Sequence, residues 1–422
     1  MAQYYAKRIR FRNGERLSVL QVRGGLPVHE VTLFLDGYRR QGRAANTIHV
    51  AGSCIALLYR ELAAAQVDLV ARLRDGKFLT VPELDRLASA AQYRIDDLDD
   101  DSEDADSASN VIHISRIGFR RGKSSPPERK PVDAATSASR IRYIAKYLEF
   151  IADYVAADLP EAVQKNLQRD AARGLKVLRA HVPKVSHRAK LDARTGLSKD
   201  EQDQLLRVVH PDSPTNPWER GYVRLRNWVI VVVLLATGMR RGELLGLQIG
   251  DLDSREPRLR VYRRADTPED TRLHQPGTKT MAREVELSPS VMKVLWSYIN
   301  THRHQIKAAR KVPQIFVADD GSPLSLSSID KLFFQLRQAC PGLPVKLTSH
   351  VMRHTWNERF SEQAEALGLS STEVERARNS QQGWSENSKT ATVYTRRRTA
   401  QQGRAVSLKL QEQLDAQLKP ND

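Results

Sequence analysis

One short segment has side chains suited to proton and anion chemistry at a single point: "LTSHVMRHTWNERF", residues 347–360. Residues three apart on a helix are surface neighbours, so His350 and Arg353 are expected to share a face, with His354 beside the arginine. A group that titrates near neutrality, set next to a guanidinium that stays charged, suits a small anionic target. Thr348 and Ser349 stand where such a helix needs its N-terminal cap.

Three further stretches carry reactive types. "LLATGMRRGELLGL", 234–247, places Arg240 just past an apolar element with Glu243 three residues on. An isolated pair of this kind is ordinarily a surface ion pair of little consequence, but an arginine packed against a buried run requires an anionic partner. "GTKTMAREVELSP", 277–289, is a turn feeding a strand with Lys279 near its start, and by itself a turn lysine is a solvated charge. "QQGWSENSKTATVYTRRR", 381–398, puts Trp384 after a glycine and Tyr394 ahead of three arginines two residues on. Alone, that tyrosine reads as a phosphate contact or a core residue.

The rest of the chain must position these groups. In 422 residues, 67 Lys and Arg stand against 50 Asp and Glu, a net charge of +17, and such an excess favours a polyanionic partner, nucleic acid above all. The two cysteines, Cys54 and Cys340, form no metal-binding or disulfide pattern. The opening "MAQYYAKRIRFRNG" lacks the apolar stretch of a signal peptide. The longest apolar run, Trp228 to Ala236, has nine residues, against about 20 for a membrane helix. A soluble cytoplasmic protein with no membrane partner is expected.

At roughly 100–200 residues per domain the chain should hold two or three. "YYAKRIRFRNGERLSVLQVRGG" alternates like two strands about an Asn-Gly turn, so residues 1–25 are expected to form a small β hairpin or an arm-type segment. Helical spacing follows in "VTLFLDGYRRQGRAANTIHVAGSCIALLYRELAAA", broken at Gly-Arg-Ala-Ala-Asn, and in "ASRIRYIAKYLEFIADYVAA", where Ile141, Ile144, Tyr147, Leu148 and Ile151 make one stripe. Between them eight acidic residues crowd into 96–106, a self-repelling loop, followed by a basic, Pro- and Ser-rich stretch at 120–139. A helical domain is expected over 26–185, a linker over 186–196, and a second domain over 197–422, in which short strands at "RLRVYRR" and "REVELS" among helices point to α+β.

The order Arg, Lys, His-x-x-Arg, Trp, Tyr resembles the tyrosine recombinase, or phage integrase, family. The likeness is strong at "TGMRRGELLGL" and "SHVMRHT" and covers roughly 197–400, while "FLDGYRRQGRAANTIHVAGSCIALLYREL" is similar to the helical core-binding domain of those proteins. The resemblance implies a multidomain, mainly α protein: a SAM-like helical core-binding domain and an α+β catalytic domain with a small β-sheet. It implies a site-specific DNA recombinase that cuts and rejoins duplex DNA through a 3′-phosphotyrosine, without metal or nucleotide cofactor.

Carried over by position, Arg240 and Arg353 are the catalytic arginines, Lys279 the hairpin lysine and general acid, His350 the histidine, and Tyr394 the nucleophile. Trp384 stands where most members have histidine and some have tryptophan. Glu243 is implied to orient the site and His354 to sit behind it. The family works as a homo-tetramer on two duplexes, in some cases with accessory proteins. The apolar row Val406, Leu410, Leu414 and Leu418 would then dock a terminal helix onto a neighbouring protomer. The competing readings are a catalytically inactive DNA-binding accessory protein of a mobile element and a topoisomerase-like relaxing enzyme.

Overall fold

The computed structural model describes residues 4–93, 130–184, 196–253, 255–386, 388 and 403–412. The acidic run at 96–106, most of the linker, Tyr394, Leu414 and Leu418 lie outside them. The chain divides into two units, 1–188 and 189–422.

The first unit starts with strands β1 (Tyr4–Arg10) and β2 (Arg16–Val22), paired antiparallel with Arg10 opposite Arg16. Gly14 adopts φ 89°, and the Asn13 side chain accepts from the Glu15 N–H at 3.0 Å, which is why this dipeptide can reverse the chain. Among the described residues six α-helices follow: α1 (His29–Arg40), α2 (Ala45–Ala64), α3 (Leu69–Arg74), α4 (Val81–Ala90), α5 (Ala134–Ala156) and α6 (Glu161–Ala180). Asp133 caps α5 by accepting from the Thr136 N–H at 2.7 Å. The stripe Ile141, Ile144, Tyr147, Leu148 and Ile151 is buried throughout, each side chain contributing about 1.5–3 kcal/mol by leaving water.

The hairpin belongs to this helical core. Ala6 and Leu20 are buried in it, and α2 approaches so closely that a Cβ on Gly52 would lie 3.4 Å from the Ala6 Cβ. Polar ties run along the same seam: Arg8 Nη2 donates to Asn46 Oδ1 at 3.0 Å and Arg60 Nε to the Tyr4 carbonyl at 2.7 Å.

The second unit begins with α7 (Lys199–Val209), opened by a reciprocal cap between Ser198 and Glu201. Helix α8 (Gly221–Thr237) carries the apolar run, and Val229, Ile230, Val231, Val233 and Leu234 are all buried, so the run is a core helix. The short α9 (Arg241–Gly246) follows after Gly238, then strands β3 (Arg258–Val261) and β4 (Arg283–Glu286), an antiparallel pair forming the unit's single two-stranded sheet among the described residues. "RLRVYRR" pairs only as far as Val261, because the chain then leaves into a loop of 262–282. Helices α10 (Pro289–Ser297), α11 (Leu326–Ala339), α12 (Ser349–Ala366) and α13 (Ser371–Gln382) follow, with short helical turns between Tyr298 and Lys311 and a separate exposed helix at 403–412. The architecture is mainly helical with small two-stranded sheets. No helix among the described residues is long and apolar enough to cross a membrane, and both cysteines are buried thiols outside any disulfide.

Candidate active site

The site is built around a left-handed glycine. Gly238 ends α8 at φ 60°, and a Cβ there would lie 2.7 Å from the Trp356 ring, so only glycine lets the chain turn against α12. Two residues on, Arg240 is the N-cap of α9. On the far side of the turn, Thr348 caps α12 by accepting from the Val351 N–H at 3.4 Å. Arg353 then projects inward, its Nη1 donating 2.7 Å to the Gly238 carbonyl. The turn that carries Arg240 is therefore the anchor of Arg353.

Arg353 is 1% exposed, and its guanidinium carbon lies 5.1 Å from the centroid of the Trp384 ring. A flat cation over an indole is attracted by the ring's negative face. Trp384 is placed by a second left-handed glycine, Gly383 at φ 62°, which closes α13. The Gly383 carbonyl accepts from the Met281 N–H at 2.9 Å, and a Cβ on Gly383 would meet the Met281 carbonyl at 2.8 Å. This contact ties Trp384 to the turn just after Lys279. From the other side, a Cβ on Gly242 would lie 2.7 Å from the Gly277 carbonyl, so α9 holds the same turn. Lys279 itself is exposed.

Glu243 joins these pieces. Its carboxylate is fully buried and accepts from the Arg240 N–H at 3.0 Å, Arg240 Nη1 at 3.2 Å, Thr280 Oγ1 at 2.8 Å and Arg283 Nη2 at 2.7 Å. Burial alone would raise the carboxyl pKa. The Arg283 guanidinium, with the Arg240 N–H and the Thr280 hydroxyl, outweighs that and holds it below the ordinary glutamate value. The Arg240 side chain is 30% exposed while its partner is shielded, so its fork is oriented by Glu243 and remains open to an anion. Arg241 instead pairs with Asp330 across the surface.

Five of the six candidate side chains fall in the second unit's described residues, and Arg240, Arg353, Trp384 and the Lys279 turn are linked by the contacts above. His350 is exposed, while Arg353 one turn on is buried, so the pair straddles the solvent boundary. Behind it His354, 3% exposed, meets the His350 ring edge-on at 4.7 Å. Tyr394 lies outside the described residues. Thr280 and Arg283 were not legible as members of the site. Arg283 opens a strand and reads as a surface residue, yet its side chain is only 5% exposed because it answers Glu243, 40 positions earlier. The signal was that a carboxylate followed directly by Leu244 and Leu245 needs a buried cation. Among the described residues no group of three or more His, Cys, Asp or Glu side chains is arranged to hold a metal ion.

Residues 196–401 match the model of the phage integrase family. The fold is similar to that of XerA recombinase, at 23% identity over 60% of this chain and 77% of that one with a TM-score of 0.35. It is similar also to the Tn1549 transposon integrase in complex with transposon right end DNA, at 17% identity over 61% and 79% with a TM-score of 0.33. A third likeness is to XerH site-specific recombinase bound to palindromic difH substrate, at 20% identity over 63% and 71% with a TM-score of 0.35. No curated protein matches the chain. The second unit is a phage integrase family domain, and so belongs to the tyrosine recombinases. That family serves site-specific DNA recombination by cutting and rejoining strands.

Proposed function

We propose that the protein is a site-specific recombinase that cuts and rejoins duplex DNA through a 3′-phosphotyrosine formed by Tyr394. The observation that carries this reading is the convergence of Arg240, Arg353, Trp384 and the Lys279 turn on the Gly238 and Gly383 turns. A phosphodiester resists attack through its own negative charge, and cleavage adds charge to the non-bridging oxygens. Two planar guanidiniums clamp those oxygens as a lysine could not, each worth about 2.7–4 kcal/mol on the scale of a lost oxyanion donor.

The Tyr394 phenol attacks phosphorus and its proton passes to His350; the bond to the 5′-oxygen breaks, and Lys279 supplies the proton that the leaving oxygen takes. Rejoining runs the steps backwards. Trp384 has one indole N–H and no exchangeable acid, so it packs and binds but carries no proton. No metal or nucleotide cofactor enters this scheme.

In this reading residues 26–185 are the core-binding domain, 186–196 the linker and 197–422 the catalytic domain, and the protein works in the cytoplasm as a homo-tetramer on DNA. Docking of the terminal helix onto a neighbour is supported by the exposure of Val406 (61%) and Leu410 (58%).

A nicked suicide substrate carrying an element end tests the reading. Wild-type protein should become covalently joined to a 3′ phosphate, with or without chelator, and Tyr394→Phe should not. If neither protein forms an adduct on such ends while both bind them, the protein is a catalytically inactive accessory factor instead.

A further inference from the structure

The connection between β3 and β4, residues 262–282, is far longer than antiparallel neighbours require, since hairpin loops usually run about 2–5 residues. It contains no helix or strand, yet it is heavily bonded. The Asp266 N–H donates to Gln275 Oε1 at 2.7 Å, and Gln275 Nε2 to Thr267 Oγ1 at 3.1 Å. At its centre lies a buried ion pair. Asp270 is 2% and Arg272 9% exposed, and Arg272 donates through Nε to Asp270 Oδ1 at 2.9 Å and through Nη2 to Oδ2 at 2.7 Å.

The rest of that guanidinium points away from the loop. Nη1 donates 2.7 Å to the Leu324 carbonyl and Nη2 donates 3.2 Å to the Leu245 carbonyl. Leu245 lies in α9, the helix capped by Arg240, and Leu324 directly precedes the cap of α11. The loop then runs back along α9: Arg272 holds its Leu245 end, the Gly277 carbonyl sits against Gly242, and Thr280 reaches Glu243. Lys279 stands between the last two contacts, on a backbone referenced to the helix that presents Arg240.

We propose that the Asp270–Arg272 pair is a positioning device for Lys279: it clamps the 262–282 loop to the Leu245 end of the Arg240 helix and to the chain entering α11, so that the lysine ammonium meets the leaving oxygen of the phosphate that Arg240 holds. The inference rests on the recombinase reading above. Arg272 touches no reacting atom and acts through Lys279. A planar fork is required because one side chain serves a carboxylate and two carbonyls at once; lysine, a point charge, cannot span all three.

The test compares adduct formation on two nicked duplexes, one with the ordinary 5′-oxygen and one with sulfur bridging at that position. A thiolate leaves without a proton, so losing the acid slows only the oxygen substrate. Lys279→Ala, Arg272→Lys and Arg272→Met should all be slowed on oxygen, by about 100-fold or more if the acid function is lost. On sulfur each should stay within about tenfold of wild type. In a Lys279→Ala background, Arg272→Lys should add no further slowing, because residues acting through one group are not additive.

Equal slowing on both substrates, or additive slowing in the double variant, would overturn the inference and leave the pair as ordinary scaffolding, as would unslowed cleavage by Arg272→Lys on oxygen. A wild-type protein that forms no adduct on either substrate overturns the recombinase reading itself, whereas a wild-type adduct with sulfur rescue seen only for Lys279→Ala sinks this inference alone.

Discussion

Glu243→Gln is the most informative single substitution, because it keeps the shape of the buried side chain and removes only its charge. One carboxylate oxygen accepts from the Arg240 N–H and Arg283 Nη2, the other from Arg240 Nη1 and Thr280 Oγ1. A glutamine must place its NH2 at one of these positions. At the first it would face two N–H donors, neither able to accept. At the second it faces the Thr280 hydroxyl, which can rotate and accept, and only the Arg240 Nη1 bond is lost. The glutamine therefore keeps Arg283 hydrogen-bonded but leaves that guanidinium, 5% exposed, without its anion.

Removing one partner of a buried pair costs about 3–5 kcal/mol, and the retained hydrogen bonds place the expectation near the lower end. The 30% exposed Arg240 adds less than about 1 kcal/mol. A loss of about 3 kcal/mol should lower the melting temperature of a unit this size by roughly 6–12 °C. Adduct formation well below that temperature should fall by no more than about fivefold, since Arg240 loses a restraint worth less than about 1 kcal/mol. Denaturant unfolding and the suicide-substrate assay read the two effects. A folded variant within about 0.5 kcal/mol of wild type, the range of an ordinary surface change, would refute the claim that charge at Glu243 holds the site together.

Because folding lowers the Glu243 pKa, its contribution is present above the ordinary glutamate value and is lost as pH falls through the lower folded value. The stability gap between wild type and Glu243→Gln should accordingly be full at neutral pH and close in acid, measured by denaturant titration across pH; a gap independent of pH would contradict it. Gly383→Ala forces a side chain into a left-handed conformation with its Cβ 2.8 Å from the Met281 carbonyl, so stability should drop by more than the roughly 1–2 kcal/mol of the backbone strain alone; unchanged melting would show the turn to be slack. Arg353→Lys should leave DNA affinity nearly unchanged in a mobility-shift titration and suppress adduct formation, because an ammonium cannot both bond the Gly238 carbonyl and lie flat over Trp384; parallel loss of binding and cleavage would argue against a role in the chemical step.

Local rules account for much of what the sequence revealed. The Thr348 cap, the α5 stripe and the Asn13-Gly14 reversal follow from interactions within a few residues, and periodicity and local spacing record them directly. The order of Arg240, Lys279, His350, Arg353, Trp384 and Tyr394 was legible as a resemblance because residue types and their order along the chain can be read without knowing how the elements between them pack. Other features required the tertiary structure. Arg283 is a buried partner of Glu243 rather than a surface residue of β4, Arg272 reaches Leu245 and Leu324, and Arg353 is held by the Gly238 carbonyl 115 positions away. Such pairings depend on which elements stack, and a buried charge takes whichever opposite charge or carbonyl the packing brings within reach. Nothing in the local pattern of an arginine records whether its partner stands three residues off or a hundred.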